Sequence, residues 1–365
     1  MAVVAKVLDT PERVVGTVDV APIGEAVPGS HKPAVIAQPS DALLDERFGD
    51  ECPACGDARM HTLFRSTDRL YRTTTDEFYV VECSNCRLIR LHPQPPPHEL
   101  RNYYPQAYWF SGTDSTAARL EEEYRRLVLR DHVNFVTRAV RECEEEGILL
   151  DVGCGGGLFL RMLSERGFPG FGLDFSLDAA GTAWREHGIP TVCATLTKSP
   201  FEPGTCAAIT MFHVLEHLYD PGAYLEAAHR LLKPDGRLVV QVPNASCWQF
   251  LMFGKAWNGV DVPRHLIDFK QKDLDGLLDA CGFEVLRHKH FSLRDNPAGL
   301  ATTLAPSLDP MARRVRGDGA SESPRMKLFK DLLYLGLVIV SIPFTLVEAI
   351  CHSGSTIMVE ARKKP

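Results

Sequence analysis

His213, Glu216 and His217, in the run HVLEH, satisfy H-x-x-E-H. In that pattern two histidines hold zinc and the glutamate serves as base. The chemistry requires both imidazoles on one face, one helical turn apart, and a third ligand elsewhere. Cys52, Cys55, Cys83 and Cys86 form two C-x-x-C pairs with 27 residues between them. Each pair can grip a tetrahedral ion from a tight turn, and four thiolates leave it no open position, so the expected metal is structural zinc. The alternative is four buried free thiols. DVGCGGG (151–157) fills D-x-G-x-G-x-G. Glycines there let the backbone turn tightly and lie directly against a ligand. A dinucleotide loop would need its third glycine at Leu158. Asp174 stands 17 residues after Gly157, where a carboxylate can accept hydrogen bonds from both hydroxyls of a ribose.

The elements that must position these residues follow from periodicity. After Gly147, short apolar runs alternate with amphipathic ones. ILLDVG, GFGLD, IPTVC, CAAITMF and RLVVQVP read as strands. Helical patterns lie between them, one with Ser176 as N-cap and Gly188 as stop. Such alternation predicts an α/β fold, a doubly wound sheet with helices on both faces. The glycine loop then sits at the C-terminal edge of the sheet, where open α/β sheets bind ligands. HVLEH begins at the tip of the fourth strand, beside that loop. KDLDGLLDACG, FEVLRHKHFS and STIMVEARK predict a helix and two further strands. Residues 117–146 read as a long charged helix with an imperfect apolar stripe.

LLDVGCGGGLFL, GLDFS, HVLEHLYDP, LKPDGRLVVQVPN and ACGFEV, in that order, resemble the class I S-adenosylmethionine-dependent methyltransferases over 147–292. The cysteine pairs with the following YYP…YW resemble bacterial methyltransferases of glycan and natural-product pathways that carry an N-terminal zinc-ribbon-like segment. The resemblance implies a Rossmann-like seven-stranded sheet whose last strand inserts antiparallel between the fifth and sixth. It implies that Asp151, Gly153, Cys154, Gly155 and Gly157 cradle the methionine part of S-adenosylmethionine, that Asp174 holds its ribose and that Phe175 flanks the adenine. Phe212 and His213 would touch the cofactor, and Glu216 and His217 would face the acceptor. Cys206 stands where many members carry an acid before the fourth strand.

Methyl transfer to an alcohol, phenol or acidic C–H also needs a proton acceptor, and a histidine suits that near neutral pH. His217 is the expected base, oriented or charged by Glu216; the alternative is that both only brace the loop. Tyr104 and Trp109, in NYYPQAYWF (102–110), read as a lid over a pocket or as a packed linker. Trp257, Arg264 and His265, in WNGVDVPRHLIDF (257–269), read as a second wall, with Arg264 available to an anionic acceptor such as a nucleotide diphosphate.

The formal net charge of −7 argues against a nucleic-acid partner. Eleven cysteines without a leading apolar run predict a reduced, cytoplasmic protein. The expected organisation is a disordered tail over 1–48, a zinc-ribbon-like segment over 49–92, a linker, lid and helix over 93–146, and the catalytic domain over 147–365. A helical insertion (293–353) carries 16 uncharged residues at 332–347. That stretch is short of a bilayer span and reads as buried helices, with peripheral membrane contact as the alternative. The expected acceptor is a small molecule: a sugar nucleotide, glycan or natural-product intermediate, or else a lipid or quinone at a membrane surface. A noncatalytic cofactor-binding scaffold is the reading from another class.

Overall fold

A computed structural model describes residues 51–105, 116–143, 145–318 and 322–364. The expected tail and Trp109 lie outside these residues. Three strands open the chain: β1 (Met60–Ser66), β2 (Phe78–Cys83) and β3 (Ile89–His92). They form an antiparallel meander; one cysteine turn precedes β1 and the other joins β2 to β3. A turn of helix, α1 (Pro97–Leu100), leads to the long α2 (Thr116–Arg141), which stops short of the expected 146.

The second sheet is built from β4 (Ile148–Val152), β5 (Gly170–Asp174), β6 (Thr191–Cys193), β7 (Cys206–Phe212) and β8 (Leu232–Pro243). Between them run α3 (Leu158–Ser164), α4 (Leu177–His187) and α5 (Pro221–Leu231). Their ends follow local chemistry. The Ser176 hydroxyl accepts from the Ala179 amide, Gly188 closes α4 at φ 64°, and Asp220 caps α5 just before its N-terminal proline. After α6 (Trp248–Phe253), β9 (Ile267–Asp268) leaves this sheet and pairs with β3 of the meander. The two-residue β9 carries no periodic signal, which is why the sequence did not reveal it. Then come α7 (Gln271–Ala280), β10 (Phe283–Lys289), α8 (Asn296–Leu304), α9 (Pro310–Arg316), α10 (Pro324–Ile350) and β11 (Thr356–Lys363).

The large sheet has the order β10-β11-β8-β7-β4-β5-β6, with β11 antiparallel to both neighbours. This is the seven-stranded arrangement the resemblance implied. Buried Leu150, Ile209, Val240 and Val359 share one core cluster with Val80 and Ile89 of the meander.

The insertion differs from expectation. In place of buried helices at 332–347 there is one 27-residue helix, α10, whose apolar residues are largely exposed. Pro343 lies inside it without ending it. On either side the Ser341 hydroxyl donates to the Leu337 carbonyl and the Thr345 hydroxyl to the Ser341 carbonyl, inside the turns the proline disturbs. The polar stretch before it contains α9, whose Arg313 is buried against Glu322 and Asp331.

Candidate active site

The glycine loop joins β4 to α3. Gly153, Gly155 and Gly157 have φ of 73°, 53° and 80°, a region that side chains other than glycine rarely adopt. A Cβ on Gly157 would meet Ala183 at 2.9 Å, whereas one on Gly155 would meet nothing within 4 Å. One glycine is thus needed for packing and the other leaves open space beside the backbone. Asp174, at the tip of β5, is buried and accepts the amides of Gly155 and Ser176, each at 2.9 Å. Burial pushes its carboxyl up, while those two amides pull it down. Asp151 lies beneath the loop, where it accepts the Thr210 hydroxyl at 2.5 Å. Burial pushes it up to about 7, and an ammonium placed beside it would restore its charge. The Cys154 thiol is buried, with its pKa raised chiefly by that burial. Phe175 is 65% exposed at the cleft edge and Phe212 is wedged edge-on between His132 and Phe159.

HVLEH follows β7 directly and ends in a single 3-10 turn, Leu215–His217. His213 takes φ 56°. Its Nδ1 lies 3.0 Å from Glu216 Oε1 and its Nε2 3.5 Å from Asp295 Oδ1. Burial alone would lower its pKa, but Asp295 and Glu216 outweigh that and hold it up to about 9. Glu216 is therefore paired with His213 and not, as expected, with His217; its second oxygen, Oε2, is buried without a hydrogen-bond partner.

His217 turns elsewhere. Its Nδ1 lies 2.9 Å from the Arg264 carbonyl oxygen and 3.0 Å from the Tyr104 hydroxyl. A carbonyl can only accept, so Nδ1 carries the hydrogen and Nε2 keeps the lone pair. Burial and the neighbouring His265 push His217 down to about 4, so the ring is neutral at physiological pH. Tyr104 meets Phe175 and His217 edge-on, at 6.5 and 6.1 Å between centroids. His265 Nδ1 donates to the Gly259 carbonyl oxygen (2.7 Å), with its ring 4.7 Å from that of His217. Ligand atoms of Glu216, His217 and His265 lie within 4.8 Å of one another, and His213 is not part of that group. The two histidines of H-x-x-E-H thus do not converge on one ion.

Arg264 corrects an expectation. It is wholly buried and bonds both oxygens of Asp68 (3.0 and 2.8 Å) and both of Asp261 (3.0 and 2.7 Å). It also stacks over Tyr71. Its guanidinium ties the 257–269 loop to the meander and is not free to meet an anionic acceptor. Trp257, 3% exposed and edge-on to Phe250, packs that loop from within. Asp68, Asp295 and His132 are partners the sequence did not reveal. Each lies on a different element from the residue it supports, and no local motif links them.

The cysteine turns come together. Cys52 and Cys86 sulfurs lie 3.5 Å apart, those of Cys55 and Cys83 3.6 Å, and all four within 4.8 Å. A tetrahedral ion with bonds of about 2.3 Å needs sulfurs about 3.8 Å apart, so the set fits zinc. Burial pushes Cys86 up to about 12, while a backbone amide at Asp57 draws Cys55 down to about 7. Thiols so unlike and so close become four thiolates together only around a cation.

A family model described as a methyltransferase domain matches residues 120–288. A ubiquinone biosynthesis O-methyltransferase of Sodalis glossinidius is 30% identical over 226 residues, 56% of this chain and 87% of that protein. The chain belongs to the class I S-adenosylmethionine-dependent methyltransferases. Another ubiquinone biosynthesis O-methyltransferase, from Methylococcus capsulatus, is 32% identical to this methyltransferase over 152 residues, 37% of the chain and 64% of the relative. A solved S-adenosylmethionine-dependent methyltransferase from Archaeoglobus fulgidus has 17% identity and a TM-score of 0.43, covering 68% of this chain and 100% of that one. The methyltransferase spans about three fifths of the length of the first curated relatives it matches.

Proposed function

We propose that this methyltransferase moves a methyl group from S-adenosylmethionine to a hydroxyl oxygen of a small-molecule acceptor, with His217 taking the proton. The observation that carries this reading is the anchoring of His217 Nδ1 on the Arg264 carbonyl, which leaves Nε2 as the ring's lone-pair atom. Asp151, Gly153, Cys154, Gly155 and Gly157 would hold the methionine part of the cofactor and Asp174 its ribose. Phe175 would lie at the adenine. The bound sulfonium supplies an electrophilic methyl carbon. The chain's contribution is alignment, which can be worth roughly 7–11 kcal/mol, and proton removal. As the new C–O bond forms, the hydroxyl becomes strongly acidic, so a base with a pKa of about 4 suffices. His213, bonded between Glu216 and Asp295, fixes the turn that presents His217. Cys52, Cys55, Cys83 and Cys86 hold a structural zinc in this reading.

For the acceptor we place a phenolic compound first, because the relatives are named for O-methylation in ubiquinone biosynthesis. A sugar nucleotide comes second, since the burial of Arg264 removes the cation singled out for its diphosphate. The test combines calorimetry with S-adenosylhomocysteine and labelled methyl transfer to panels of phenols, quinols and sugar nucleotides. His217→Ala should lower turnover about 10²–10⁴-fold while leaving S-adenosylhomocysteine affinity within about twofold. The wild-type rate should be flat from about pH 5 to 8, because His217 is already neutral there. Undiminished turnover in the variant, or transfer confined to nitrogen acceptors, would remove the proposal.

A further inference from the structure

Helix α10 is arranged opposite to an ordinary surface helix, which buries its apolar stripe. From Tyr334 onward its polar residues face the protein. The Tyr334 hydroxyl meets Thr302 at 2.8 Å, Ser341 and Thr345 are buried, and Glu348 is fully buried against the backbone and side-chain amides of Gln249. Its large apolar residues face out: Phe329 is 62% exposed, Leu332 58%, Ile339 57%, Val340 75%, Val347 52% and Ile350 76%. At 100° per residue these fall on one broad arc, and every residue on that arc from 332 to 350 is apolar. At about 1.5 Å per residue the strip runs about 28 Å. Helix α6 lies against it through Trp248 and Phe344, 6.3 Å apart, and adds exposed Leu251 and Met252.

We propose that this strip lies in the surface of an anionic phospholipid bilayer, parallel to its plane. Three observations favour lipid as the occupant. The uncharged, outward-facing arc gives an apolar surface larger than water-soluble monomers usually expose. Cations rim it: Arg325 and Lys327 stand exposed in the first turn of α10, and Lys255 follows α6. In a chain of net charge −7 that placement complements acidic headgroups. Both ends of the helix also return to the same folded body. The start is tied through Asp331 to Arg313, and the end runs into β11 at the centre of the sheet, between β8 and β10. The chain therefore cannot cross, and the helix rests in one leaflet. The inference does not depend on which acceptor is methylated.

The experiment is flotation of the purified full chain with vesicles of phosphatidylcholine, with and without phosphatidylglycerol. Wild type should float with the anionic vesicles and less with the neutral ones. Val340→Asp and Ile339→Asp should each reduce flotation about tenfold or more, with thermal stability and S-adenosylhomocysteine affinity unchanged because both side chains are exposed. Wild type remaining in the dense fraction, or Val340→Asp floating equally well, would overturn the proposal. So would a dimer in sedimentation that Val340→Asp dissociates, which would assign the strip to a second copy of the chain.

Discussion

His213 holds an unusual backbone conformation, and its two ring nitrogens face carboxylates, Glu216 and Asp295. In the unfolded chain those partners are gone and the pKa returns to about 6.5; folded, it is raised to about 9. The stabilisation is therefore complete below about pH 6.5 and is lost as the pH rises through about 9, at ~1.4 kcal/mol per unit of difference. Melting curves should show Tm falling across that window, and His213→Asn should abolish the slope; a level wild-type Tm would contradict the pairing. Asp174 and the glycines were legible in the sequence because their constraint is local: a positive φ demands glycine, and a strand tip beside it places the acid. The partner of Glu216 was not. The sequence neighbour His217 was the natural reading, but a 3-10 turn swings the two histidines apart, and Asp295 reaches His213 from a different element.

The elements between the glycine loop and β10 were legible because strands buried on both faces read as apolar runs, and helices between them read at period 3.6. What periodicity does not say is which body a face meets, so α10 was expected inside and β9 was missed. Yet β9 is the join. It completes the meander beside β3, while Leu266 N donates to the Glu216 carbonyl and Leu91 N to the Leu266 carbonyl. Arg264 repeats the connection with its side chain on Asp68 and its carbonyl on His217. The cysteine segment thus braces the turn that carries His217. Asp68→Asn leaves a buried guanidinium short of one anion and should cost about 3 kcal/mol in denaturant unfolding, the low end for a broken buried pair because Asp261 remains. It should also depress turnover while S-adenosylhomocysteine affinity holds, since the glycine loop lies on other elements. Equal losses in both would place the effect in global folding instead.

Across the whole molecule, distant parts of the chain complete one another. Among the described residues, the C-terminal strand β11 is the sole sheet neighbour of β10, and it is the antiparallel partner of β8. The meander borrows its fourth strand from the middle of the chain. Cys52 and Cys83 share a core cluster with Ile357 and Ala361, and the described residues fall in one compact unit. A separable zinc domain would melt on its own; a body knitted this way should not. Heating the zinc-loaded chain should give a single transition, with zinc released into a colorimetric chelator at the same temperature as the loss of helical signal. A ligand of the glycine loop stabilises whatever unfolds with it, by ~2.7 kcal/mol at one hundred times its Kd. S-adenosylhomocysteine should therefore raise the temperature of zinc release as far as it raises that of unfolding. Zinc lost earlier, at a temperature the ligand does not move, would show that the meander opens independently of the seven-stranded sheet.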